Sequence, residues 1–124
     1  MAGQKTISST YQPPLPTPPP IMPISGTFSK QTPPSNCDIL LNFTNPMSPH
    51  IPNASHFVIK FDGANVTVLP ISGWDTDKRF FVQCGPWGPD ITMATISYDG
   101  LDPNFKSVAS EPVAAFTDFA LTAF

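Results

Sequence analysis

Two histidines, nine acidic side chains, two cysteines and two tryptophans are the groups of this chain with chemistry to offer. Nucleophilic hydrolysis needs a base beside the nucleophile and an acid to orient that base. His50 sits in a proline-rich stretch and His56 at the outward phase of an alternating one, and neither neighbours a nucleophile motif. Both read as solvent-exposed, non-catalytic histidines. Asp99, Asp102 and Asn104 in "YDGLDPN", with Asp75 or Asp77 from another loop, carry oxygens of the kind calcium takes. Their spacing is not that of an EF-hand, and aspartates in such stretches cap their own backbone in turns. The chain is therefore expected to be no enzyme, with no catalytic residue, metal or cofactor. Cys37 and Cys84 are too few for a disulfide scaffold or a structural zinc. Buried thiols and a single disulfide both remain open for them.

Trp74 in "SGWDTD" and Trp87 in "GPWGPD" fall in predicted loops. Exposed together at one end of a β-domain, they would stack on sugars or anchor a protein contact. The plainer alternative is that each covers an open end of the core. Three Asn-x-Ser/Thr triplets begin at Asn42, Asn53 and Asn65. In a Thr-rich chain with no leader they read as coincidence.

These groups need elements to position them. Positions 13–23 hold seven prolines, so no helix or inner strand forms there. Such a run favours polyproline II, which has no internal hydrogen bonds and buries little by itself. Positions 1–23 are thus read as an extended arm, and 24–124 as one domain. The P-x-x-P spacing lacks the flanking Arg or Lys that SH3-type readers favour. The arm is instead expected to lie along a partner through Tyr11, Pro13, Pro14, Leu15, Pro16, Pro18, Pro19, Pro20, Ile21 and Met22, with Trp74 and Trp87 as further loop contacts; a disordered linker is the alternative.

Charged residues make up 12% of the chain and the net charge is −3, with the basic side chains scattered apart from Lys78-Arg79. That footprint excludes binding nucleic acid through its phosphates, and it does not suit an anionic membrane. No stretch reaches the length of a membrane span, and the first residues have no signal-peptide core. With its initiating Met, the chain reads as a complete product made in a cytosol.

"CDILLNF", "HFVIKF", "RFFVQC" and "ITMATISY" alternate apolar and polar residues, the period of a half-buried strand. The inward phases are Cys37, Ile39, Leu41 and Phe43; Phe57, Ile59 and Phe61; Phe80, Val82 and Cys84; and Ala94, Ile96 and Tyr98. Asp62-Gly63 supplies the positive φ of a tight hairpin before "VTVLPI". A short strand near "ISGTF" and a final one from "VAAFTDFALTAF", bulged near Asp118, complete the set. About seven strands with turns rich in Gly, Pro and Asp predict an all-β, immunoglobulin-like antiparallel sandwich, with a jelly roll, which usually needs more strands, as the alternative.

"LLNFTNPM", "HFVIKFDGANVTV" and "ITMATISYDGLDPN…VASEPVAAFTDFAL" together resemble bacterial immunoglobulin-like repeats of large surface and adhesin-type proteins. Phe43 and Pro46, Phe57, Asp62-Gly63, Val66 and Val68, Tyr98, Gly100-Leu101 and Phe116 stand at matching places. Those repeats come in secreted arrays; this domain stands alone behind a proline arm. The resemblance implies the fold, and such sandwiches host many functions.

The expected function is that of a structural protein of a large assembly, a decoration or cement protein on a phage or virus capsid, held by its arm. Its partners would be the major capsid protein or other assembly subunits, including copies of itself. It would be made in the host cytoplasm and sit on the virion surface. The alternative is a carbohydrate- or receptor-binding module on an extracellular surface, using Trp74, Trp87 and Tyr98.

Overall fold

The alternating stretches become strands with their apolar phase inward. The structure is a computed structural model that describes residues 21–29, 35–87 and 90–123. Among them are eight strands: β1 (Ser25–Phe28), β2 (Ser35–Asn42), β3 (Phe57–Phe61), β4 (Ala64–Val66), β5 (Trp74–Thr76), β6 (Arg79–Trp87), β7 (Ala94–Tyr98) and β8 (Phe116–Ala123). A 3-10 turn at Ala54–His56 precedes β3. No described helix is long and apolar enough to cross a membrane.

All eight strands belong to one sheet in the order β4-β3-β7-β8-β1-β2-β6-β5. The sheet curls until its ends approach. Past β4, Val68 pairs with Cys84 of β6, Leu69 N–H donates to the Gln83 carbonyl, and Gly85 N–H donates to the Thr67 carbonyl. This differs from the antiparallel arrangement expected, because β1 runs parallel to β8 through Thr27↔Thr122 and Phe28↔Ala123. β5, which reads as loop in the sequence, is three residues long and held by one strand, β6. Too short to alternate legibly, it forms because β6 offers it an edge.

The inward phases hold as expected. Phe57, Ile59, Phe61, Phe80, Val82, Cys84, Ala94, Ile96 and Tyr98 are all buried. Across the interior Phe61 meets Phe28 and Trp87, and Phe57 meets Phe80. The predicted hairpin forms at Asp62-Gly63, with φ of 51° and 85° and Phe61 paired to Ala64. The Asp62 carboxylate also accepts Thr92 and Met93 N–H, which ties the hairpin to the chain entering β7. The bulge expected near Asp118 is present. The β7–β8 register shifts between Ile96 and Tyr98, and Asp118 takes a φ of 51°.

Cys37 and Cys84 face each other as register partners on neighbouring strands. Both are buried thiols, and Cys84 Sγ lies 3.7 Å from the Cys37 carbonyl oxygen as donor. Burial, reinforced by Cys37 and then Asp38, pushes the Cys84 thiol up to about 12. Thiolate is the reactive form. Cys84 should therefore resist iodoacetamide in the native protein at neutral pH and be alkylated once guanidinium unfolds it. Mass spectrometry of both samples checks this, and fast native alkylation would contradict the burial.

β1 crosses the core with no side chain at Gly26. A Cβ there would lie 2.5 Å from Leu121 Cδ2 and 2.9 Å from Leu41 Cδ2. Both leucines are buried. Gly26→Ala should lower stability by about 1–3 kcal/mol through overpacking, read from the urea midpoint with the slope unchanged.

Candidate functional site

Strand direction gathers the long connections at one end. β2 and β7 finish there, and β1, β3, β6 and β8 begin there. Residues 43–56 and 99–115 form the two longest loops, joined by residues 67–73. Phe105 anchors the second loop. Fully buried, its ring packs against Phe43, Phe57, Trp74, Phe80 and Tyr98, with centroids 4.8–6.0 Å away.

Polar bonds then pin the first long loop to the second. The Asp102 side chain is almost wholly buried. Its Oδ2 accepts Asn53 N–H at 2.6 Å and its Oδ1 accepts Asn104 N–H at 2.8 Å. Its backbone N–H donates to the Tyr98 hydroxyl at 3.0 Å. His56 Nδ1 lies 2.8 Å from Asp99 Oδ2, while its Nε2 lies 3.7 Å from Asp102 Oδ2. The side chain is one-quarter exposed, so His56 is not the fully solvated residue expected: it bridges two carboxylates.

Chemically this is a latch. A triad histidine needs one ring nitrogen on an acid and the other on a nucleophile; here both nitrogens face acids. Asp99 Oδ1 accepts Leu101 N–H at 2.9 Å, so Asp99 and Asp102 each cap the residue two positions on, the turn role expected for them. Asn104 sits beside them and donates weakly to the Ile51 carbonyl at 3.5 Å. Asp75 pairs instead with Arg79, at 3.1 Å.

The tryptophans do not form one platform. Trp74 packs on Phe43, Phe80 and Phe105 and donates Nε1–H to the His50 carbonyl at 3.2 Å. Trp87 packs edge-on against Phe61 at the other end of the core. Its Nε1 is buried with no hydrogen-bond partner among the described residues. Phe80 and Trp87 are seven residues apart on β6, about 23 Å of strand. Tyr98 is 3% exposed and its hydroxyl is spent on the Asp102 backbone. Each aromatic closes part of the core, which leaves none of the three for a shared ligand surface.

Tyr11, Pro13, Pro14, Leu15, Pro16, Pro18, Pro19 and Pro20 lie outside the described residues. Ile21, assigned to the arm from sequence, is a correction: it is 6% exposed, pairs with Val113, and accepts Ala114 N–H through its carbonyl. "PIMPI" has no period that would announce this, because the slot beside Val113 exists only in the folded sheet. Met22 remains 40% exposed.

Sequence reasoning missed a groove of about 610 Å³ at the loop end. Ile51, Pro52, Pro70, Ile71 and Pro103 line it with Asn53, Ala54, His56, Asp102 and Asn104. The only sequence signal for it was proline and asparagine recurring in three separate loops. Met22, Ile24, Ile51, Leu101 and Val108, five of the seven exposed large apolar side chains among the described residues, also belong to this end. No family model, curated protein or solved structure matches the chain.

The hydrogen bond from His56 holds the Asp99 carboxyl below its usual 3.8. A carboxylate with a lowered folded-state value contributes stability above the unfolded value and loses it as the pH falls through the folded one. Melting temperature should therefore drop below about pH 4 in the parent protein. That acid limb should be shallower in Asp99→Asn, as thermal melts across the range would show.

Proposed function

We propose that this chain is a non-enzymatic structural protein of a large assembly, an immunoglobulin-like domain that decorates or cements a phage or virus capsid. The observation that carries this reading is the concentration of exposed apolar side chains at the end where the N-terminal segment departs. Met22, Ile24, Ile51, Leu101 and Val108 present apolar surface there. Apolar side chains gathered at one end suit a protein contact. The hydrogen bond of His56 Nδ1 to Asp99, beside the Asp102 turn, fits a structural role for this histidine.

The immunoglobulin-like assignment draws support from strand order. Lettered along the chain as A, B, C, C′, D, E, F and G, the sheet reads C′-C-F-G followed by A-B-E-D. That grouping matches the strand sets of an immunoglobulin sandwich, C′ being the strand added in variable-type domains. The parallel A–G pair joins them. In this lettering the apolar end is the B–C and F–G loop end, which variable domains use for recognition.

In this role the partners are the major capsid protein or neighbouring copies, and the protein resides on the virion surface. A surface-displayed carbohydrate- or receptor-binding module is the second reading. The groove favours it, while the separation of Trp74 from Trp87 removes its stacking platform. Sedimentation of native lysate tests the first reading. The protein should pellet with particles of megadalton size, and recovery only as a free monomer would end that reading.

A further inference from the structure

We propose that the loop-end groove seats the proline segment, positions 11–20, of a neighbouring copy of this chain. The inference rests on the reading of the chain as an assembly component and gives its arm an acceptor.

The lining matches the chemistry of such a segment. Polyproline II offers apolar ring faces and outward carbonyls, and its prolines carry no N–H. A groove for it needs apolar walls and hydrogen-bond donors more than acceptors. Ile51, Pro52, Pro70, Ile71 and Pro103 are the walls. The amides of Asn53 and Asn104 are the donors. Asn53 uses its side-chain oxygen on Ser55 N–H, which leaves its NH₂ without a partner among the described residues. Asn104 NH₂ has, among the described residues, only the long 3.5 Å contact to the Ile51 carbonyl. The one carboxylate in the lining, Asp102, already accepts two backbone N–H groups.

The point of departure fits as well. Ile21 pairs with Val113, whose N–H donates to the Phe105 carbonyl, and Phe105 follows the groove residue Asn104. Two strand spacings, about 10 Å, thus separate Ile21 from the groove's edge. Twenty residues precede Ile21. In polyproline II, positions 11–20 would span about 31 Å. Those positions contain six prolines and no glycine, a stiff composition. That composition disfavours the reversal needed to enter its own groove and suits reaching the same groove on an adjoining copy. Repeated from copy to copy, the contact is heterologous and builds rings or rows; exchanged between two copies, it closes a dimer.

The test uses the full chain. A nitroxide is attached to Ser9→Cys, the native thiols being buried. This protein, at natural isotope abundance, is mixed with nitrogen-15-labelled parent chain. The amide signals of Asn53, Ile71 and Asn104 should broaden in the mixture and recover on reducing the nitroxide. Ala54→Arg in the observed copy should abolish the broadening with the melting temperature unchanged. No broadening in the mixture overturns the proposal. So does broadening confined to a chain carrying both labels and independent of concentration, because the segment then occupies its own groove. Chain that pellets with particles but shows no exchange sinks the groove assignment alone. Chain that exchanges but never pellets sinks the capsid reading and leaves the groove contact standing.

Discussion

Phe105 is a loop residue placed where a strand residue would ordinarily be, at the centre of an aromatic cluster that closes one end of the curled sheet. Its ring touches the side chains of five other aromatic residues, which come from β3, β6, β7, the edge strand β5 and the loop after β2. Burying such a ring is worth about 1.5–3 kcal/mol in transfer alone, with aromatic geometry adding to it. The whole 99–115 loop is therefore anchored from within. Asp102 and Asn104 lie within three residues of the anchor, which helps to fix their positions. Removing this ring would open the end of the curled sheet that carries the groove and release the loop that forms its wall.

Around that anchor the polar groups hold loops together. Asp102, Asp99 and His56 lie together between the loops, where the two aspartates accept backbone N–H groups and Asp99 also meets the His56 ring. The Asp102 carboxylate is buried, and a buried carboxylate must find donors; it finds them in the backbones of Asn53 and Asn104. His56 completes the clasp from the start of β3. The result is a groove mouth with apolar walls and the side-chain amides of Asn53 and Asn104 beside them. The opposite end is built differently, around the tight Asp62-Gly63 hairpin, the Asp62 caps on Thr92 and Met93, and Trp87 against Phe61.

Much of the fold was legible because alternation is a local property. Phe57, Ile59 and Phe61, or Phe80, Val82 and Cys84, announce their inward face without knowledge of any partner. Asp62-Gly63 announces its turn, since positive φ is needed there. Which strands would neighbour one another was less legible. The parallel β1–β8 pair joins the two ends of the described chain, and β5 exists only because β6 lends it an edge. Ile21 was misassigned for the same reason, its burial being a property of the slot beside Val113. The groove was hidden because its lining comes from three loops whose spacing in sequence carries no period.

What the sequence by itself determined was the class of structure: an all-β domain with named inward residues, a hairpin at Asp62-Gly63, a bulge at Asp118 and a proline-rich N-terminal composition. Backbone sterics and hydrophobic period act within a few residues of one another, and a single chain displays them openly. The tertiary structure alone decided that Cys37 faces Cys84 on an adjacent strand, that Trp74 and Trp87 close opposite ends, and that His56 is held between two aspartates. Those outcomes depend on contacts between residues 43 to 47 positions apart in the case of His56 with Asp99 and of Cys84 with Cys37. Contacts at that separation are set by how the sheet curls and closes, a property of the whole chain that no short stretch contains.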